Sequence, residues 1–397
     1  MTRVTIRGLF ATAIGLVLIV SGCTAAQSVN PPPPAAPPPS NQAGPLPADC
    51  ADRITEPEQA RAAVAQVRPG SIVCLAGGGL TDVELEVTTS GTPQQPITIV
   101  ADGATMRSMN VKADNVVIQS LTLKDGDGLT MTGRGLVARN NVIYNATANG
   151  LECKDCVDTI LESNTVQRAD GTGIWFSGER ITVRNNTVSE SVLRTLNDAD
   201  GIRFFGNGHR LTGNTIKDIK ASGYPDGGPH TDCFQTYDSA DTPPTYDVVI
   251  ANNVCRNVDV QCLIATIDDP RARRAPAGRM TILFEGNTCE VNGAQAVNLR
   301  NFPDVVVRGN SFSGPGDRAV QLSGESTGVA VIGNTMTGRM RPFEIDRQSQ
   351  PGFQESGNSS RVTESSPTQP PPDRRSGQDQ RPGDPGDHHH GHDDHGG

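Results

Sequence analysis

Hydrophobic and polar positions recur along the middle of the chain. Nine short stretches superimpose: VIQSLTL, ARNNVIY, LESNTVQ, VRNNTVS, LTGNTIK, IANNVCR, FEGNTCE, VRGNSFS and VIGNTMT. Each carries an amide at one place, namely Gln119, Asn141, Asn164, Asn186, Asn214, Asn253, Asn287, Asn310 and Asn334. Two positions later stand Leu121, Ile143, Val166, Val188, Ile216, Cys255, Cys289, Phe312 and Met336, all apolar, and the residue between is mostly Thr or Ser. This is the pattern of a short strand with one inward side chain and an outward neighbour. The amides are 22, 23, 22, 28, 39, 34, 23 and 24 residues apart. A short period with the excess taken up in insertions predicts a solenoid of stacked coils. A second strand recurs in each coil as GLTM, GLEC, GIWF, GIRF, CFQT, CLIA, AVNL, AVQL and PFEI, with apolar residues flanking one outward residue. The leucines are too few for a leucine-rich repeat. The amide instead sits in a turn, where it can satisfy backbone groups and stack on the amide of the next coil.

With these repeats in place, the chain resembles the pectate-lyase-like right-handed parallel β-helix family over roughly residues 50–352. EPEQARAAVAQV, from Glu56 to Val67, reads as a capping helix followed by RPGSIVCLAGG, and GTPQQPITIVADG looks like the opening coil of several β-helix polysaccharide lyases. The resemblance implies an all-β, single-domain right-handed parallel β-helix with an N-terminal capping helix. It does not fix a reaction, because the fold carries hydrolases, lyases, epimerases and adhesins.

The ends differ in composition. Arg3 and Arg7 precede an apolar run from Leu9 to Val20, and Val20-Ser21-Gly22-Cys23 follows. This resembles a bacterial lipoprotein signal, with Val20 where Leu is usual. It implies lipidation of Cys23, export, and anchoring of the chain to the cell membrane facing the envelope or exterior. Residues 24–49 form a Pro/Ala-rich linker, expected to be an extended spacer. Residues 353–397 lack the apolar content to fold and end in DHHHGHDDHGG, either a solvated tail or a loose transition-metal tract. A net charge of −10 and a sequence pI near 5.2 argue against a nucleic-acid partner. A monomer is expected.

Of nine cysteines, eight remain if Cys23 is lipidated, a count that fits disulfides in an oxidising compartment. Cys255 and Cys289 share one inward position in consecutive coils, and Cys233 and Cys262 share another position, just before the second strand. Stacked strands lie about 4.8 Å apart, within disulfide range, so both pairs are expected to bond or touch. Cys50 and Cys74 would tie the capping helix to the first coil. Cys153-Lys154-Asp155-Cys156 reads as a local disulfide or two free thiols.

Superimposing the second strands assembles a polar cluster. Glu152, Trp175, Arg203 and Gln235 become outward neighbours, beside a second row of Asn149, Thr172, Asp200, Asp232 and Gln261. His230 falls on Asp198 and Asp170. Strict alternation would put Asp232 and Gln235 on opposite faces, so a bend is expected between them, where Gly128, Gly150, Gly173 and Gly201 stand in other coils. The longest insertions fall in these same coils and would wall the site. One of them, DDPRARRAPAGR, carries Arg271, Arg273, Arg274 and Arg279. It reads either as a clamp for an anionic glycan or as a solvated loop paired with Asp268 and Asp269.

The candidate catalytic residues are therefore His230, Asp232, Asp200, Arg203 and Asp198. Trp175, Gln235, Glu152, Tyr237, Arg271 and Arg274 are candidates for binding substrate. The first expectation is lyase or C5-epimerase chemistry on a uronate polysaccharide. His230 would be the base, with Tyr224, Tyr237 or Lys220 as a second acid/base. Arg203, the arginine loop, or Ca²⁺ held by Asp198, Asp200 and Asp232 would neutralise the substrate carboxylate. The His-x-Asp-x-x-Gln strip is similar to strips in β-helix glycan-active enzymes. The second expectation is glycoside hydrolysis by Asp200 and Asp232, one coil apart. Asn197-Asp198-Ala199-Asp200-Gly201 resembles the Asn-Thr-Asp segment of polygalacturonases, but that family's other motifs are not found together here. The third is a non-catalytic glycan-binding or structural surface protein.

Overall fold

The computed structural model describes residues 52–194, 198–222, 224 and 228–361. The signal, Cys23, the linker, Cys50 and the His/Asp-rich end lie outside the described residues.

All pairings between strands in register are parallel, and the chain winds as a single β-solenoid. Thirteen strands, from Arg53–Ile54 to Gln354–Ser356, stack as one row. Twenty more form two further rows, one ending at Arg341–Ile345 and the other at Ser359–Arg361. The helix Pro57–Ala65 buries Ala60 and Val64 against the first coils, the cap expected from the sequence. The chain between strands is short in most coils and long around residues 190–200, 218–231, 238–247 and 267–281.

The core is three inward stacks. The thirteen-strand row supplies one, running from Ile99 and Ile118 to Val307 and Val331, and the other two rows supply the rest. Leu123, Ile143, Val166, Val188, Ile216, Cys255, Cys289, Phe312 and Met336 form the second, in unbroken register. Leu129, Leu151, Ile174, Ile202, Phe234, Leu263, Val297, Val320 and Phe343 form the third. The first coil corrects the sequence alignment by two residues. Leu121 takes the place of an asparagine there, donating its N–H to Asn141 Oδ1 (3.0 Å), while Gln119 pairs with Arg139 on the neighbouring row. The backbone explains the shift. The residue before each ladder asparagine is left-handed, for example Asn140 at φ 55° and Gly213 at φ 66°, and Ser120 before Leu121 is left-handed too.

The asparagines form a continuous buried ladder. Asn186 is typical: its Nδ2 donates to Leu161 O (2.9 Å) and Asn214 Oδ1 (3.0 Å), and its Oδ1 accepts from Asn164. A side chain thus does the work of a missing strand at the turn, where buried backbone groups would otherwise be orphaned. The ladder runs one coil further than residue 352. Asn358 accepts from Asn334 N–H (3.0 Å) and Nδ2 (3.0 Å), so residues 354–361 continue the solenoid past that boundary.

The disulfides correct the expected pairing. Cys255 and Cys289 are register neighbours, as read from sequence, but the bonds join Cys233 to Cys255 and Cys262 to Cys289, each within one coil. Stacked side chains point the same way, whereas residues on facing walls point at each other. Preceding coils show what the bridge replaces. A Cβ on Gly150 would meet Val166, one on Gly173 Val188, and one on Gly201 Ile216, all within 2.5 Å. Cys233 and Cys255 occupy the next rung of that Gly–aliphatic series. These three glycines are there for space across the core, not for an unusual φ at a bend. Cys153 and Cys156 are joined as a local bridge with Cα atoms 5.7 Å apart.

Candidate functional site

The second row of the sequence reading exists as a corner ladder. The side-chain oxygen of Asn149 accepts Thr172 N–H (3.0 Å), Asp200 Oδ1 accepts Asp232 N–H (3.0 Å), and Asp232 Oδ1 accepts Gln261 N–H (2.9 Å). A polar residue is needed at this corner simply to satisfy the next coil. What is special at Asp200 and Asp232 is the second oxygen. Asp232 Oδ2 bonds His230 Nδ1 at 2.6 Å, and Asp200 Oδ2 bonds Arg203 Nε at 3.1 Å as well as Nη2. Arg203 Nη2 also donates to Asp198 Oδ2 (2.7 Å), and Asp198 bridges His230 through the backbone. Asp170, in contrast, aligns with Val192 rather than with Asp198 and His230.

Burial separates the roles. Asp200 and Asp232 have no exposed side-chain surface, Arg203 keeps 14%, Asp198 29% and His230 40%. His230 Nε2 makes no hydrogen bond among the described residues. Its bond to Asp232 raises the imidazole pKa to about 9, against the opposing pull of burial. Burial alone would raise Asp232, but the contact with His230 and the Gln261 N–H both favour the ionised form, and the geometry supports an imidazolium–carboxylate pair. Burial pushes Asp200 up to about 7, despite Arg203.

Gln235 stands in register with Arg203 and Trp175, and its Nε2 lies 3.5 Å from Asp232 Oδ2, so the corner does bring Asp232 and Gln235 together. Gln235 Oε1 and Gln261 Oε1 are buried without a partner. Other expectations are not met. Arg271 is bound in a two-bond fork by Asp269, Arg274 donates to Asn301 O and acts on the Asp238 carboxylate, and neither lines the cleft at Trp175. The loop arginines therefore follow the solvated-loop reading, because a carboxylate two residues away satisfies Arg271 locally. Lys220 is held by Asn257 and Asp259, and the Tyr224 hydroxyl accepts Leu193 N–H (3.0 Å). His209, the other histidine outside the C-terminal end, is a core residue: fully buried, bonded at both ring nitrogens and lowered to about 3 by burial.

The three carboxylates do not fit Ca²⁺. That ion needs six or more oxygens. Asp200 and Asp232 each give one oxygen to the backbone, and the others face a guanidinium and an imidazole. Asp200, His230 and Asp232 do offer donor atoms within 4.8 Å of one another, a mixed N/O set closer to a transition ion's preference. The paired-carboxylate hydrolase expected as an alternative is also not favoured, since both acids are enclosed and bonded.

Beside the cluster runs an aromatic ladder that the sequence reading only half found. Trp175, half-buried, packs on Phe205 (centroids 5.6 Å), and Phe205 packs edge-on against Tyr237 (4.9 Å). Phe205 was missed because a phenylalanine is assumed to face the core, although its parity with Arg203 places it outward. A cleft of about 350 Å³ opens at Trp175 and Phe205. Glu152, Asn149, Lys154, Asp155 and Ser177 line it, with Asp241, Thr242 and Pro243 of a long turn forming its wall.

Comparison with known proteins agrees with this architecture. Residues 102–230 match the family model described as right handed beta helix region. No curated protein sequence matches. Among solved structures, the chain is similar to a tailspike protein of the E. coli bacteriophage HK620 in complex with pentasaccharide, at 10% identity and TM-score 0.48, covering 77% of this chain and 63% of that one. It is similar to an alginate lyase from a Paenibacillus species (15%, TM-score 0.40, 77% and 98% covered). It is similar too to the A-module of a mannuronan C-5 epimerase from Azotobacter vinelandii (13%, TM-score 0.46, 77% and 94%). The chain is all-β, a single parallel β-solenoid, and its residues 102–230 match the right handed beta helix region.

Proposed function

We propose that this protein acts on a polysaccharide at a uronate residue, by removing the proton α to the carboxylate, as a lyase or a C5-epimerase. One observation carries the reading: a single exposed imidazole, clamped through Nδ1 by a buried aspartate, presents Nε2 beside an outward row of polar residues. Neutral His230 takes the C5 proton at Nε2 and becomes the imidazolium that Asp232 stabilises. The C5 electron pair passes into the carboxylate. In a lyase it returns to form the C4=C5 double bond, the C4–O bond breaks, and the leaving oxygen takes the proton held at His230 Nε2. In an epimerase water on the opposite face returns a proton to C5, and the hydroxide so formed is neutralised by the proton that His230 releases. Arg203 is the cation nearest the site. Where Asp200 is protonated, Arg203 is shared with Asp198 alone and has charge to offer the substrate carboxylate. Cys23 would hold the protein on the cell membrane. Labelled palmitate incorporated by the wild type and lost in Cys23→Ala would support that placement, and equal labelling would refute it.

The activity test follows ultraviolet absorbance of the conjugated double bond while the full chain is incubated with a panel of uronate polysaccharides. A rise abolished by His230→Ala supports the lyase, and exchange or inversion at C5 without a rise supports the epimerase. Saturated reducing ends, or binding with no chemistry at all, would overturn the proposal.

A further inference from the structure

The cleft at Trp175 has the wrong charge for a uronate. Glu152, Asp155 and Asp241 line it against one ammonium, that of Lys154. Asp241 lies within electrostatic reach of Arg271, but Glu152 and Asp155 are not neutralised internally. Glu152 accepts only from Asn149 Nδ2 (2.9 Å), Asp155 from the Ser177 hydroxyl (3.3 Å), and Lys154 makes no ion pair among the described residues. The remaining surface is the Trp175 face, backed by Phe205, with an indole N–H that has no partner among the described residues. An aromatic plate takes the C–H face of a sugar ring. Carboxylates beside it accept hydrogen bonds from hydroxyl or ammonium groups, and a cation gains further from the ring face. A ligand carboxylate there would meet the like charges of Glu152 and Asp155 at close range.

We propose that this cleft is a sugar subsite selecting a residue without a carboxylate, neutral or amine-bearing, so that the polymer acted on is a mixed heteropolysaccharide and not a uronate homopolymer. The Trp175 and Gln235 strands are two coils apart, about 10 Å at one strand spacing per coil, so one oligosaccharide can touch both the cleft and His230. The inference rests on the preceding section for the uronate at His230, but the cleft's preference is measured independently of turnover.

Trp175 is the only tryptophan in the chain, so its fluorescence reports this site. The full chain, as wild type and as His230→Ala, is titrated with four tetrasaccharides: cellotetraose, the glucosamine tetramer, an alternating glucuronate–N-acetylglucosamine tetramer, and tetragalacturonate. The expected result is a fluorescence change with the first three and affinity for tetragalacturonate weaker by at least about tenfold, one charge-assisted contact's worth. In Glu152→Gln/Asp155→Asn that gap should close to within about threefold. Tetragalacturonate binding as tightly as the others, or fluorescence unmoved by all four, would overturn the subsite. If fluorescence responds as expected while no turnover is found on any polymer, the subsite stands and the catalytic reading falls.

Discussion

One oxygen of Asp232 accepts the Gln261 N–H and the other holds His230 Nδ1, so this carboxylate is both a rung of the solenoid and the orienting partner of the imidazole. Asp232→Asn keeps an oxygen for Gln261 and removes the charge. His230 should then titrate near the ordinary histidine range instead of about 9, and turnover should fall at least about 100-fold, the lower range of acid–base contributions. NMR titration and kcat check the two parts. Raised folded-state pKa values also set the direction of pH effects. The His230–Asp232 pair contributes stability fully below the unfolded histidine pKa, and that contribution is lost as pH rises through about 9. Catalysis needs His230 neutral and Asp200 protonated, so the pH–rate maximum should lie between about 7 and about 9. A maximum near pH 5 would contradict the assignment.

At the scale of the element, the ladder asparagines hold the turns. Asn186→Ala leaves the Asn164 N–H and the Leu161 carbonyl without their partner in the interior, a loss of about 3 kcal/mol, which urea unfolding would register as an earlier transition. Non-reducing peptide mapping should recover Cys153–Cys156, Cys233–Cys255 and Cys262–Cys289, and no Cys255–Cys289 peptide. Much of this level was legible in the sequence. The period of inward apolar residues placed the coils and, from Asn141 to Asn334, the register. What alignment alone could not provide was direction across the core. Cys255 and Cys289 align in any one-dimensional reading, and only the facing Gly–Val series shows that Cys255 looks toward Cys233. The Gln119 misalignment has a similar origin, because an amide was matched where a left-handed Ser120 preceding Leu121 marks the true position. At the site, His230, Asp232, Asp200, Arg203 and Asp198 came together from register. Burial did not follow from register, and it decides that Asp200 and Asp232 support chemistry instead of meeting substrate.

Across the whole molecule, the cluster and the cleft sit mid-solenoid, where the connecting segments are longest. The net charge of −10 opposes approach of a polyanion. KM for a uronate-containing polymer should therefore fall as salt rises toward ~0.15 M, where screening length shortens to about 8 Å. A KM that rises with salt would point to cationic steering that the charge does not provide. Since the carboxylates do not fit Ca²⁺, adding Ca²⁺ should leave initial rates within about twofold. The most direct measurement is the fate of the C5 hydrogen when the full chain meets a uronate-containing heteropolysaccharide in D₂O, read by NMR of the recovered polymer and products. The account predicts that this hydrogen is lost to a C4=C5 double bond or replaced by deuterium, and that His230→Ala abolishes either change. Cleavage that leaves the C5 hydrogen in place would contradict it.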